Sequence, residues 1–553
     1  MKRFPAVVLV IAAVVAVAPL LPQTQKNQHK QASLATLIQL GNRDEALARI
    51  RAGADVNEAQ PDGTRPIHWA IYRVDYELVD ALIAKKAKTD VTNDFGSTPI
   101  AEAARLGDAR MVKSLLDAGA GPEGANADGQ TALMLAIKTG ELQVVQMLIK
   151  AGANVNTVEK FDNQTPLMWA AAAKKNAGPM VKLLLSKHAD VKPRAHYTDW
   201  PSQITSEPRA QYRPVGGLTA LLYAARDGCY DCVESLLAAG ADVDTPTPEG
   251  VTPLMVALDN GYTDVAKLFL DRGANPHVWD WWGRTALYIA VDIKNGASGG
   301  RGGAPLPGAL PGPGVPVVPR GSGTGRVSGM EIVKALLAAG VDPDPELNMH
   351  RPGRGENSGR FSDPLLNTGC TPLMRATLAH DIEVARLLLD KGASPNINAM
   401  GFTPFLVAAG VGPTSRGSGS GLLPNAALMD LLIEHGANVN AQVTGTKTYS
   451  MRVSRSSSSN EGMSALHGAV QGRRADLVRY LLAKGINTEL VDSNGRKAID
   501  LLSAGGQNKA GPAIPAGSAE APAPAGNRRG PPEGNAASVT EIRDLLQNAA
   551  AKK

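Results

Sequence analysis

The sequence predicts an all-α solenoid of about twelve helix–turn–helix repeats. Similar segments recur about every 33 residues, and each contains two short amphipathic stretches of helical periodicity. Aromatic residues make up only 4% of the 553 residues, which suits thin layers of Leu, Val and Ala better than one large globular core. A helix pair with one apolar side cannot bury that side alone, so each copy must pack on its neighbours.

Residues 128–156 display the repeat most clearly. The hydroxyl of Thr131 can cap a first helix, which Gly140 is suited to end. A second stretch, 142–150, is followed by a Gly and carries apolar residues on one side: Leu142, Val145, Leu148 and Ile149. The residue after the capping position places eleven copies in register, at Pro66, Pro99, Ala132, Pro166, Ala220, Pro253, Ala286, Pro372, Pro404, Ala465 and Ala498.

Two short motifs recur in these copies. Openings similar to Thr-Pro-Leu-His occur at 65–68, 98–99, 165–167, 252–254, 371–373, 403–404 and 464–467. A closing Gly-Ala-Asp/Asn-Val-Asp/Asn occurs at 53–57, 152–156, 240–244 and 436–440. With the spacing of about 33 residues, these motifs make the chain resemble ankyrin-repeat proteins over most of its length. The expected fold is therefore an ankyrin-repeat solenoid with hairpin loops.

Longer intervals between copies indicate insertions rich in Gly, Pro and Ser, which we expect to be disordered. The resulting organisation has repeats at 33–191, 217–295, 328–344 (half of an interrupted repeat) and 368–505, with the first repeat acting as a cap. Insertions are expected at 192–216, 296–327, 345–367 and, within the last block, near 412–423 and 443–460. A Pro/Ala/Gly-rich segment, 506–536, precedes a C-terminal capping helix within 537–553.

Residues 1–32 are expected to be an export segment with a polar linker. A basic start precedes an uncharged apolar run, 4–22, as in signal peptides. Pro19 directly follows the small-residue cleavage motif at 16–18 and would hinder cleavage, so an uncleaved anchor of about twenty residues is the alternative. We expect an exported bacterial protein, periplasmic or extracellular, anchored in the inner membrane if the segment is uncleaved.

Charge and cysteine content narrow the possible partners and cofactors. The 57 basic and 52 acidic residues give a net charge of +5 without a Lys/Arg block, so nucleic acid is not expected to bind. Cys229 and Cys232 lack the second pair of a zinc site, and Cys232 takes the inward position that Val144 holds. We interpret them as a loop thiol and a small buried hydrophobe, with a local disulfide as the alternative. No metal or cofactor is expected.

Catalytic motifs are not apparent in the sequence. It lacks a Gly-x-Ser-x-Gly elbow, a phosphate-binding Gly loop ending in Lys-Ser/Thr, and a His-Glu-x-x-His helix. His68 and His467 hold the His of the opening motif and have no Ser, Cys or Asp partner in a repeated arrangement. The resemblance implies that such a His braces the turn through hydrogen bonds. We therefore predict that the protein is not an enzyme.

The resemblance implies protein recognition through hairpin tips and first helices, and residues at these places differ among copies. The tips carry Phe95, Gln130, Gln164, Val251, Arg284, Phe402 and Met463, and the first helices end with Tyr72, Arg105, Lys138, Arg226, Asp259 and Asp292. One hairpin, 279–283, holds three of the six tryptophans and is predicted to project into solvent as a binding hot spot. The predicted partner-binding residues are Trp279, Trp281, Trp282, Phe95, Phe402, Tyr72, Arg105, Lys138 and Arg226.

Three functional hypotheses remain after this reading of the sequence. The first is an exported, non-enzymatic and monomeric scaffold that binds partner proteins. The second is a membrane-anchored organising protein of the cell envelope. The third is an enzyme whose site is built in the insertions, with 192–216 as the best candidate. The hairpin at 279–283 favours the first, although the long Gly/Pro insertion could instead cover it. Trp69 and Trp169, on the face between helices, are predicted to lie in the core.

Overall fold

The structure, a computed structural model, describes residues 32–198, 216–295, 327–348, 368–412, 422–445, 460–502 and 536–551. These residues form 23 α-helices and one 3-10 helix, and their only extended pairings are isolated β-bridges. The prediction of an all-α solenoid is confirmed. The predicted export segment lies outside the described residues, as does most of each predicted insertion. In the part of the chain that is described, no helix is long and apolar enough to cross a membrane.

The described part of the chain divides into two compact units, and the first comprises the described residues within 1–161 together with 174–176. Its eight helices form four antiparallel pairs in which first helices pack on first helices and second helices on second helices. The apolar side of each helix pair is therefore buried against the next pair. The helices are α1 (Leu34–Leu40), α2 (Arg43–Arg51), α3 (Pro66–Tyr72), α4 (Tyr76–Ala84), α5 (Pro99–Leu106), α6 (Ala109–Asp117), α7 (Ala132–Thr139) and α8 (Leu142–Lys150).

The second unit comprises the described residues within 162–173 and 177–553, and it continues the same pairing from α9 to α20. Its pairs are α9 (Pro166–Ala171) with α10 (Ala177–Ser186), α11 (Ala220–Asp227) with α12 (Tyr230–Ala238), α13 (Pro253–Asp259) with α14 (Thr263–Asp271), α15 (Ala286–Lys294) with α16 (Gly329–Ala338), α17 (Pro372–Leu378) with α18 (Ile382–Asp390), α19 (Pro404–Ala408) with α20 (Ala426–Glu434), and α21 (Ala465–Gln471) with α22 (Ala475–Ala483). The 3-10 helix (Ala498–Leu502) packs on α21, and α23 (Ala536–Ala551) covers α22 with Ile542 and Leu546 buried.

Threonine side chains start most of the first helices. In each case the hydroxyl accepts a hydrogen bond from the backbone N–H three residues later, which satisfies one of the free donors of the first turn. In α7 the Thr131 Oγ1 accepts from Met134 N at 3.3 Å, and the helix ends at Gly140, whose φ is +77°. The capping residues are Thr98, Thr131, Thr165, Thr219, Thr252, Thr285, Thr371 and Thr403.

Thr131→Ala is expected to lower the free energy of unfolding by about 1 kcal/mol, because Met134 N loses its acceptor in a buried position. Urea unfolding followed by circular dichroism measures the change. Thr131→Ser keeps the hydroxyl and serves as the control, for which we expect less than half of that loss. Equal losses in the two variants would assign the effect to the missing methyl group.

Backbone hydrogen bonds join consecutive hairpins at their tips. In the first unit, Asp94 N donates to Asp62 O at 2.9 Å and Lys160 N donates to Asp128 O at 3.0 Å. The second unit contains five equivalent bonds. His196 N donates to Asp162 O at 2.6 Å, and two bonds measure 2.9 Å: Trp281 N to Glu249 O and Asn348 N to Trp282 O. Two more measure 3.1 Å: Thr444 N to Gly401 O and Ser493 N to Glu461 O. The hairpins of each unit therefore lie side by side.

Candidate protein-binding surface

Four of the seven predicted tip residues are buried: Val251, Arg284, Phe402 and Met463. Each directly precedes a capping residue, and its carbonyl accepts the hydrogen bond that closes the hairpin. The bond from Ala399 N to Phe402 O, for example, measures 2.9 Å. Phe402 faces back onto the stack, so the prediction that it projects from a tip is wrong. Phe95 lies further out on its hairpin and is 68% exposed, while Gln130 and Gln164 are half-buried.

The predicted residues at the ends of first helices differ between the two units. In the first unit, Tyr72, Arg105 and Lys138 are exposed, and Arg105 Nε lies 2.8 Å from Glu102 Oε2. In the second unit, the residues at these positions form ion pairs with other side chains of the protein. Arg226 is half-buried, lies over the Tyr223 ring at 4.8 Å and pairs with Asp227 at 2.9 Å. Asp259 and Asp292 form ion pairs with Arg284 and Arg375.

Trp69 and Trp169 are half-buried, so the prediction that they lie in the core is wrong. Trp69 belongs to the first unit, where its Nε1 donates to Gln60 Oε1 at 2.8 Å. Its ring also meets Tyr72 edge to face, with centroids 5.7 Å apart. Half-buried indoles with a polar partner are common at recognition surfaces.

The Trp hairpin, residues 274–284, exposes two of its three tryptophans. Trp279 is 63% exposed and Trp281 is 50% exposed, whereas Trp282 is only 5% exposed. The Arg284 guanidinium lies over the Trp282 ring at 5.3 Å, and Trp282 O accepts from Asn348 N in the next hairpin. The prediction that all three indoles project into solvent is therefore wrong for Trp282, which is a supporting residue.

A buried ion cluster fixes the Trp hairpin to α13. Arg284 Nε lies 2.6 Å from Asp280 Oδ2, and Arg284 Nη1 lies 2.9 Å from Asp259 Oδ1. The other Asp280 oxygen accepts the backbone N–H groups of Trp282 at 3.0 Å and of Arg284 at 2.9 Å. Burial raises the pKa of Asp280 even though Arg284 opposes this shift. These bonds tie the turn that carries Trp279 and Trp281 to α13.

Acidic residues flank the Trp hairpin on both sides, and the sequence reasoning missed their importance. The preceding hairpin, 241–251, contains Asp242, Asp244 and Glu249. The following stretch, 341–348, contains Asp342, Asp344 and Glu346. Asp342 and Asp344 are easily interpreted from the sequence as simple turn formers. An alignment of the hairpins of adjacent repeats would have revealed these flanking acidic residues. The alignment is not obvious, because an insertion separates 341–348 from the Trp hairpin in the sequence.

The histidines of the opening motif have structural partners. His68 Nδ1 accepts from Arg65 N at 3.1 Å, and its Nε2 lies 3.2 Å from Ser97 O of the next hairpin. His467 makes the same pair of contacts, with Ser464 N at 3.2 Å and Arg496 O at 3.0 Å. Burial lowers the pKa of both imidazoles. Each His therefore joins two repeats, in agreement with the bracing role that the resemblance implies.

Cys229 and Cys232 form a disulfide, which is the alternative that the sequence left open, so the interpretation of Cys229 as a loop thiol is wrong. Cys232 is buried, as its inward position predicts. Residues three apart at the start of a helix lie on the same side of it, and the two Cα atoms are 5.2 Å apart. Within the described residues, no group of three or more His, Cys, Asp or Glu side chains is placed to hold a metal ion.

This chain is similar in sequence to several known proteins. E3 ubiquitin-protein ligase KEG of Arabidopsis thaliana is 29% identical over 308 residues, which cover 52% of this chain and 16% of the ligase. Human mitochondrial disaggregase is 33% identical over 191 residues, or 34% of this chain and 24% of that protein. Human protein phosphatase 1 regulatory subunit 27 is 39% identical over 59 residues, which cover 11% of this chain and 38% of that protein. The chain thus spans much less than two thirds of each relative.

Family models match the chain along most of its length. The model for ankyrin repeats in three copies matches residues 34–124, 102–195, 202–280, 221–296 and 326–443, and the model for a single ankyrin repeat matches 461–493. These segments include the helix pairs and the hairpins described above and cover more than half of the 553 residues. The chain therefore belongs to the ankyrin-repeat family, whose repeats are protein-interaction modules.

Proposed function

We infer that this protein is an exported, non-enzymatic scaffold that binds partner proteins through its hairpin tips and first helices. The observation that carries this proposal is the exposure of Trp279 and Trp281 on a hairpin held by a buried ion cluster. Large aromatic side chains on a rigid support lose little conformational entropy on binding, and Trp is the residue type most enriched in binding hot spots. Phe95, Tyr72, Arg105 and Lys138 offer a second contact area in the first unit.

The double variant Trp279→Ala/Trp281→Ala is expected to reduce capture of its partner from an envelope extract about thirtyfold, as the loss of a hot spot of about 2 kcal/mol would. The purified full-length chain serves as bait, and quantitative mass spectrometry measures the captured proteins. Phe161→Ala, which removes an aromatic ring that is 80% exposed in the first unit, is the matched control. Undiminished capture by the double variant would contradict the proposed hot spot.

Export is part of the proposal and rests on the signal-like residues 1–32. The disulfide between Cys229 and Cys232 supports it, because disulfides persist in oxidising compartments. A membrane-anchored organising protein is the second candidate, favoured by Pro19 behind the cleavage motif. Cell fractionation with intact-mass measurement separates the two: a soluble, shortened chain supports the scaffold, and a full-length chain in the membrane fraction supports the anchor.

A further inference from the structure

We propose that the Trp hairpin, together with its two neighbours, binds a cationic segment of a partner protein: a peptide rich in Arg or Lys. This inference rests on the proposed function and adds the chemistry of the partner. It depends on the order in which three hairpins lie in the second unit, on the charges that they carry, and on the exposure of two indole rings between those charges.

Direct bonds fix the order of the three hairpins. On one side, Trp281 N donates to Glu249 O at 2.9 Å and Asn275 N donates to Asp244 Oδ1 at 2.8 Å. On the other side, Asn348 N donates to Trp282 O at 2.9 Å. The exposed rings of Trp279 and Trp281 are therefore carried by the middle hairpin, between stretches 241–251 and 341–348.

The two outer stretches themselves carry charge of one sign, although Arg194, whose Nη1 donates to Pro246 O at 2.8 Å, offsets part of it at the first stretch. Each contains three carboxylates and no Lys or Arg: Asp242, Asp244 and Glu249 in the first, and Asp342, Asp344 and Glu346 in the second. In the middle hairpin, Asp280 and Arg284 are paired and buried, so they do not offset this charge at the surface. The exposed indoles thus lie between two acidic stretches, although the whole chain has a net charge of +5.

The acidic side chains at 342–346 repel one another. Asp344 Oδ2 accepts from Ser394 N at 2.8 Å, whereas the buried Oδ1 has no hydrogen-bond partner in the described part of the chain. Burial raises the pKa of Asp344, and the charges of Asp342 and Glu346 raise it further. Asp344 faces the following hairpin through Ser394 N, so Asp342 and Glu346, which are exposed, are the carboxylates of this stretch that a positively charged ligand can reach.

Indole rings and carboxylates recognise the same side chains in different ways. A guanidinium or ammonium group stacks on the face of Trp through the ring quadrupole, while its aliphatic stem covers apolar ring surface. Carboxylates on either side then bind further cations along an extended peptide, and Arg can do so with two hydrogen bonds at once. An acidic partner would lack the cationic group that stacks on Trp, and the carboxylates would repel it.

The test uses the full-length protein and three fluorescein-labelled peptides of 14 residues, with Arg, Gln or Glu at alternate positions among Gly and Ser. Fluorescence anisotropy measures binding at low and high NaCl concentrations. We expect the Arg peptide to bind at least tenfold more tightly than the Gln peptide, and the Glu peptide to bind most weakly. The preference for Arg should shrink at high salt, since exposed charges are screened. Equal affinities for the Arg and Gln peptides would overturn the proposal.

Two pairs of variants locate the binding site. Trp279→Ala/Trp281→Ala should weaken Arg-peptide binding at least tenfold, and Glu249→Gln/Glu346→Gln should weaken it several-fold and reduce its salt dependence. Phe161→Ala and Glu58→Gln remove an exposed ring and an exposed charge from the first unit and should change nothing. Arg-peptide binding that survives both pairs unchanged would contradict the assignment.

The outcomes separate this inference from the proposed function. If the protein shows no preference for the Arg peptide but Trp279→Ala/Trp281→Ala still abolishes capture of the envelope partner, the cationic chemistry is wrong and the scaffold proposal stands. If Trp279→Ala/Trp281→Ala weakens Arg-peptide binding but leaves capture of the envelope partner unaffected, the cationic site stands. The proposed hot spot for the envelope partner then fails.

Discussion

Arg284→Ala is expected to lower the free energy of unfolding of the second unit by about 3–5 kcal/mol, a loss typical of breaking a buried ion pair. The side chains of Arg284, Asp259 and Asp280 are 6%, 6% and 0% exposed. Removing the guanidinium takes away the cation that pairs with both buried carboxylates, and it also removes the group that covers Trp282. Urea unfolding monitored by circular dichroism and Trp fluorescence measures the loss.

The deficit of Arg284→Ala should depend on pH. Burial raises the pKa of Asp280 in the native protein, and the variant lacks the Arg284 contacts that oppose this shift, so the native pKa rises further. An acid whose native pKa exceeds its unfolded value binds more protons when folded, and stability then falls as pH rises. The variant should therefore be closer to wild type at about pH 5 than at about pH 7.5. A constant deficit would contradict this explanation.

Arg105→Ala is the matched control for the buried cluster. Arg105 also pairs with a carboxylate, Glu102, at 2.8 Å, but the two side chains are 48% and 24% exposed. Solvent-exposed ion pairs contribute about 0–1 kcal/mol, because water and salt screen the attraction. A loss for Arg105→Ala as large as that for Arg284→Ala would mean that burial does not decide the effect.

The helix pairs could be predicted from the sequence because their signals are local. Thr131 and Gly140 mark the two ends of α7 through their own backbone contacts, and the spacing of about 33 residues repeats those signals along the chain. The stacking of neighbours follows from the apolar stripes, which have no other place to be buried.

Exposure at the hairpins could not be predicted in the same way. Phe95 and Trp282 both directly precede a hairpin Gly, yet Phe95 is 68% exposed and Trp282 is 5% exposed. The difference comes from Arg284, which covers the Trp282 ring, and from the bond between Asn348 N and Trp282 O. The second contact spans more than sixty residues and a long insertion. Local sequence also leaves the state of Cys229 and Cys232 open, since their spacing suits a thiol pair and a disulfide equally.

Gly283→Ala is expected to destabilise the second unit by about 2–5 kcal/mol, for two separate reasons. The φ of Gly283 is +77°, a left-handed conformation that is unfavourable for Ala. A Cβ atom there would also lie 2.7 Å from both Asn348 N and Glu346 O, which are backbone atoms and cannot rotate away. The Trp hairpin would have to separate from residues 346–348, so Arg-peptide binding should weaken as well.

Gly240→Ala isolates the steric part of this effect. Gly240 has a φ of +87°, but nothing lies within 4 Å of its Cβ position, so Ala there suffers only the conformational cost of about 1–2 kcal/mol. Urea unfolding of both variants should therefore show a further loss of about 1–3 kcal/mol for Gly283→Ala, the usual cost of overpacking. Equal losses would mean that the two hairpins do not pack this closely, and the acidic stretch 341–348 would then be too far from Trp281 to share a ligand with it.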